Sequence, residues 1–125
     1  MGHINNNALG QFIENARVKL FMDSGEDAAE TKRARGVSWV IRRLELDFVG
    51  EVHFPGTVDV GIRVVKFGNT SCTVWQSVFQ DGECKVIGSS ISVTFQMETR
   101  KAVRIPDHYR ERMAGYSLGA LVQAG

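Results

Sequence analysis

The spacing of apolar residues changes once along this chain, dividing it into a helical opening and a stranded remainder. Leu9, Phe12, Ile13, Ala16 and Leu20 recur at helical spacing and make one apolar stripe. The pattern predicts an amphipathic helix over about 6–24. Asn5 or Asn6 caps its start, Gly25 ends it in a left-handed cap, and Glu14 pairs with Arg17 on its flank. Gly10 is costly inside a helix and is expected to mark the close approach of another backbone. A polar loop over about 26–36 follows, in which Lys32, Arg33 and Arg35 mix with Glu26, Asp27 and Glu30.

Beyond that loop the period becomes two. Leu44, Leu46 and Phe48 alternate with Glu45 and Asp47, and Val58, Val60, Ile62 and Val64 alternate with Asp59, Gly61 and Arg63. Both runs predict half-buried antiparallel strands. A turn at Phe67-Gly68-Asn69 leads to a hairpin of 71–80 and 83–96 around Asp81-Gly82. A two-residue turn there pairs Gln80 with Glu83 and Phe79 with Cys84. Pro106 at a first helical position, with Asp107 after it, predicts a short helix to about Met113. The last dozen residues, 114–125, read as a loosely held tail. A lone helix with one apolar stripe is buried if a curved sheet wraps it. The expectation is therefore an α+β domain with four long strands, whose open sheet edges favour self-association.

Composition narrows the function classes. The 125 residues allow one domain, 43% apolar and 23% charged, as in ordinary globular proteins. The net charge of +1 is spread along the chain, without the basic stripe and interleaved aromatics of a nucleic-acid binder. No stretch approaches the roughly 20 apolar residues of a membrane span, and no secretory leader is legible. The expectation is a cytoplasmic protein that engages neither membrane nor nucleic acid. The hairpin register keeps Cys72 far from Cys84, so both read as reduced thiols. No His neighbours either cysteine, no His, Cys and carboxylate cluster has metal-ligand spacing, and no glycine-rich loop precedes a helix as in nucleotide sites.

A motif names a chemistry where composition does not. Met1-Gly2-His3-Ile4-Asn5-Asn6, followed by Phe12-Ile13-Glu14-Asn15-Ala16-Arg17, resembles the signature of the 4-hydroxybenzoyl-CoA thioesterase-like branch of the hotdog-fold superfamily. Further similarity lies in Arg42 to Phe48, Gly68 to Ser71, Met97 to Arg100 and Ile105-Pro106, so that it covers roughly 1–113. The resemblance implies a hotdog domain over 1–113, with 114–125 as its tail. It implies a central helix wrapped by a five-stranded antiparallel sheet, in a homodimer or homotetramer with sites at subunit interfaces. The implied activity is hydrolysis of an acyl thioester of coenzyme A or acyl carrier protein. Coenzyme A enters as part of the substrate, and no separate cofactor or metal is implied. The periodicity supplies only four long strands. Members of the family carry an earlier strand ending in an Asp that acts as base or nucleophile. The expectation is that Met1 matches an internal residue of the family, the first strand and its Asp being missing from the chain.

The same resemblance assigns the site. Thioester hydrolysis needs a base or nucleophile and donors for the developing oxyanion. The free N–H groups at the helix start suit the oxyanion, with Asn6 or its neighbour as donor and Asn5 and Asn6 also acting as caps. His3 polarises the carbonyl or orients a water. Glu14, expected to be semi-buried with a raised pKa, is the remaining candidate base, the alternative being a salt bridge to Arg17. Leu9 stands where the family has Tyr and is expected near the acyl group. Arg63, Lys66 and Arg100, with Lys101 and Arg104, are candidates for the coenzyme's phosphates. A hotdog protein that binds acyl thioesters without cleaving them is the competing expectation. A working carboxylate separates the two.

Overall fold

A computed structural model describes residues 6–24, 37–116 and 120–124. Helix α1 spans Asn6–Ser24. Strands β1 (Val37–Phe48), β2 (Val58–Phe67), β3 (Ser71–Gln80) and β4 (Glu83–Gln96) follow. Helix α2 (Asp107–Met113), a 3-10 turn (Ala114–Tyr116) and strand β5 (Ala120–Ala124) complete the order. The strands form one antiparallel sheet in the order β1-β4-β3-β2-β5. The fold is α+β, one long helix held against one face of the sheet.

The apolar stripe does what its spacing requires. Leu9, Ile13, Ala16 and Leu20 are at most 3% exposed. They divide between two clusters. Leu9, Ile13 and Ala16 pack with Val52, Val58, Val60, Val78 and Val86 near the β3–β4 hairpin. Leu20 and Phe21 pack with Val64, Cys72, Val74, Ile105, Tyr109 and Met113 at the opposite end. Between them Gln76 reaches up from β3, and its Nε2 donates to the carbonyl of Ile13 at 2.8 Å. That bond satisfies a buried amide and fixes the height of α1 over the sheet.

The predicted hairpin register is observed: Phe79 faces Cys84 and Gln80 faces Glu83. Asp81 and Gly82 both have positive φ, 54° and 78°, as a tight two-residue hairpin turn demands. The turn after β2 is held by Gly68 N–H donating to the Ser71 carbonyl and by Arg110 Nη2 donating to the carbonyls of Gly68 and Asn69.

Four expectations need correction. Pro106 stands just before α2 as its cap residue rather than inside it, with Asp107 the first helical residue and ion-paired to Arg104 at 2.7 Å. Gly10 meets no neighbouring atom within 4 Å of where a Cβ would lie, so no backbone crowds it. The tail supplies a fifth strand, because Ala120–Ala124 pairs with Val58–Ile62. The half-burial expected of β1 fails over most of its length: Val40, Ile41, Leu44 and Phe48 are 41–48% exposed. Its sequence alternates correctly, but little among the described residues covers either face over that length. The Gly25 cap and the 26–36 loop lie outside the described residues.

Both cysteines are free, as expected. Cys72 is fully buried beneath Leu20, and burial pushes its thiol up to about 12 against the smaller opposing pull of Arg110. A folded-state pKa above the unfolded one makes stability fall as pH rises from the unfolded value, near 9, toward 12, because only the unfolded thiol ionises there. Denaturant melts across that window should lose stability at a slope of up to about 1.4 kcal/mol per pH unit, a slope that Cys72→Val removes. Equal slopes in the two proteins would show that Cys72 does not ionise on unfolding.

Among the described residues, no helix is long and apolar enough to cross a membrane.

Candidate active site

Helix α1 begins at Asn6 among the described residues, and the helix dipole places partial positive charge at that end. Residues 49–57 fold over this end. Val52 is fully buried against Leu9 and Ile13, and the ring of Phe54 lies 6.2 Å from that of Phe12. Gln80 holds the loop in place, its Oε1 accepting from His53 N–H at 2.8 Å and its Nε2 donating to the His53 carbonyl at 2.9 Å. Phe54, Phe48 and Val49 are 38%, 42% and 57% exposed around this end. The positive end of a helix dipole beside open apolar surface suits an oxyanion with an apolar substituent.

One flank of α1 faces β1. Gly10, Glu14, Arg17 and Phe21 follow at helical spacing along it, and the ring of Phe21 stacks on Trp39 of β1 at 4.3 Å. Glu14 is exposed on this flank, so the semi-buried setting expected of it is absent within one protomer. Arg17, expected as its surface partner, is instead 6% exposed. Burial pulls the guanidinium below its usual range, while Glu14 acts through space in the opposite direction. The sequence carried a signal for this. Arg17 lies four residues after Ile13 and three before Leu20, at the rim of the apolar stripe.

The other candidates are dispersed. His3 and Asn5 lie outside the described residues, as does the side chain of Asn6. Leu9 is fully buried in the core and lines no open surface, which corrects its expected place beside the acyl group. Arg63 and Lys66 stand on the outer face of β2, paired across to Trp75 and Thr73, with the Arg63 guanidinium 5.8 Å from the Trp75 ring. Arg100 occupies a positive-φ turn after β4. Lys66 and Arg100 thus sit at the end of the sheet beneath the C-terminal half of α1, away from the helix start. A separate cleft of about 650 Å³ is lined by Val37, Gln96, Val103, Arg104, Pro106, Asp107 and His108, and includes none of the catalytic candidates. No group of three metal-ligating side chains occurs among the described residues.

Residues 1–113 match the family model described as the thioesterase-like superfamily. No curated protein matches the chain. Among solved structures, a predicted thioesterase from Bacillus stearothermophilus is similar at 31% identity and a TM-score of 0.78, over 92% of this chain and 84% of that one. A thioesterase from Thermus thermophilus, complexed with coenzyme A and Zn, is similar at 25% identity and a TM-score of 0.74, over 93% and 82% of the two chains. A Staphylococcus aureus hypothetical protein in complex with CoA shares the fold at 11% identity, with a TM-score of 0.83 over 94% and 75%.

Proposed function

Because the chain belongs to the thioesterase-like superfamily, we propose that it hydrolyses acyl thioesters of coenzyme A to free acid and thiol. The observation that carries this reading is the start of α1, where the positive end of the helix dipole borders the exposed Phe48, Val49 and Phe54. The thioester carbonyl sits at that helix start, with the Asn6 N–H as oxyanion donor. As the carbonyl becomes tetrahedral its oxygen gains charge, and a fixed N–H holds that charge without reorganisation. His3 and Asn5, carried by the same segment, orient the carbonyl and the attacking water.

Glu14 takes the proton from that water. It lies eight residues beyond Asn6, about 12 Å along the helix axis, too far to serve a carbonyl held by its own helix start. The site is therefore shared, with Glu14 of one protomer serving the helix start of a second. Strand β1 is the interface. It is a 12-residue edge strand with exposed apolar side chains, and such edges are left open only where something pairs with them. The solved relatives complexed with coenzyme A favour that carrier over acyl carrier protein. The long pantetheine arm separates thioester from phosphates, so Arg63, Lys66 and Arg100, distant from the helix start, are the cations assigned to the phosphates.

The exposure of Glu14 in one protomer also favours a second reading, an acyl-thioester binder without turnover. Thiol release from short, aromatic and long-chain acyl-CoAs separates the two. Turnover of at least one class is expected. Calorimetric binding of acyl-CoA without thiol release would establish the binder instead, and neither binding nor release would remove both.

A further inference from the structure

Near β1, three buried hydrogen-bonding atoms stand without a partner among the described residues: Arg17 Nη1, Trp39 Nε1 and Ser90 Oγ. Arg17 is 6% and Ser90 2% exposed, and no ion pair closes on Arg17 among the described residues. An unpaired buried donor is costly, the more so on a charged group. Arginine does not escape this by losing its proton near neutral pH. Two of the three atoms are donors only, and the third is a hydroxyl able to donate. Among the described residues this region lacks an acceptor, and the charge on Arg17 favours an anionic one.

The three groups share one neighbourhood. Arg17 lies one turn before Phe21, whose ring stacks on Trp39. Ser90 pairs across the sheet with Leu44 of β1 and with Val74 of β3, and Val74 packs in the cluster that holds Leu20 and Phe21. The neighbourhood adjoins open apolar surface, since Leu44 is 46% and Ile41 41% exposed on the same inner face. Along α1 the guanidinium is 11 residues from Asn6, about 16 Å along the axis. Side chains lean back toward the helix start by about one turn, which leaves about 10 Å, the span of a medium acyl chain.

We propose that the flank of α1 carrying Arg17, with Ser90 below it and the Ile41–Leu44 surface beside it, selects acyl thioesters whose chain ends in a carboxylate. The inference rests on the reading that places the thioester at the start of α1. The methylene chain lies over Ile41 and Leu44, within the β1 seam that the second protomer of the shared site closes. Its terminal carboxylate accepts from Arg17 and Ser90, giving Arg17 Nη1 and Ser90 Oγ the partner they lack among the described residues. Arg17 is a specificity residue with no part in the cleavage step. The side chain has four rotatable bonds, so a rotamer change brings Nη1 to the entering carboxylate.

The test measures binding, by calorimetry, of two non-hydrolysable thioethers of coenzyme A, one with a decyl chain and one of equal length ending in a carboxylate. The wild-type protein should bind the carboxylated compound about tenfold more tightly. Arg17→Met should abolish or invert that preference while retaining the decyl compound. Ser90→Ala should reduce it in part, and provides the reading if Arg17→Met does not fold. Equal affinity of wild type for the two compounds, or a preference that survives in Arg17→Met and Ser90→Ala, overturns the inference. Thiol release from decanoyl-CoA, measured in parallel, keeps the two failures apart. Turnover without carboxylate preference removes only the specificity role, whereas carboxylate-selective binding without turnover removes only the hydrolase reading.

Discussion

Replacing Glu14 with Gln is expected to lower thioester hydrolysis about a hundred- to ten-thousand-fold, with little change in substrate affinity. The substitution preserves shape and removes only the ability to accept a proton. Glu14 is exposed and acts on Arg17 through space without closing an ion pair among the described residues. Its loss therefore costs folding only modestly, which circular dichroism and denaturant melts would check. A matching variant, Asn6→Pro, deletes the proposed oxyanion N–H at a position where a helix start tolerates proline. Each variant alone should be nearly inactive. Mixing the two should restore part of the activity, because a mixed dimer contains one site with both groups intact. Unchanged turnover in Glu14→Gln would reduce the residue to a solvated helix charge. Loss of activity without rescue on mixing would place both groups in one protomer and contradict the distance along α1.

The second large effect is expected at the sheet edge. The double variant Ile41→Asp, Leu44→Asp should convert the assembly to monomers and abolish hydrolysis, while circular dichroism retains the helix and strand signals. In an isolated protomer these side chains are 41% and 46% exposed, so two carboxylates there remain hydrated at small cost. Within an interface the same charges are stripped of water and unpaired, which costs several kcal/mol each. Sedimentation velocity reads the assembly, and thiol release reads the site. A variant that stays associated would move the interface elsewhere. A fully active monomer would show that one chain holds a complete site and end the shared-site mechanism.

These two predictions rest on different kinds of information. The period of Leu9, Ile13, Ala16 and Leu20 announced α1 and its buried face, because helix geometry repeats locally and a side chain's letter reports its solvation. The Asp81-Gly82 pair announced the hairpin and its register, since only residues tolerant of positive φ turn a chain that tightly. Thioester chemistry was legible through the opening motif, whose resemblance agrees with the family match over 1–113.

Other features have no local signature. Alternation along β1 names its two faces but cannot say that the described elements leave Val40, Ile41, Leu44 and Phe48 exposed. Ala120–Ala124 has only a short apolar pattern, and its strand identity comes from the amides and carbonyls of β2, more than 50 residues earlier. Arg17 reads as a surface charge beside Glu14, yet it is 6% exposed, one turn before Phe21, whose ring stacks on Trp39. Local geometry and residue chemistry were enough for the helix, the hairpin and the family, and all three could be read from the chain. That Glu14 faces solvent, that Arg17 does not, and that β1 is an open edge emerged only once the chain was packed, because burial is set by what lies above a residue rather than by its neighbours in sequence.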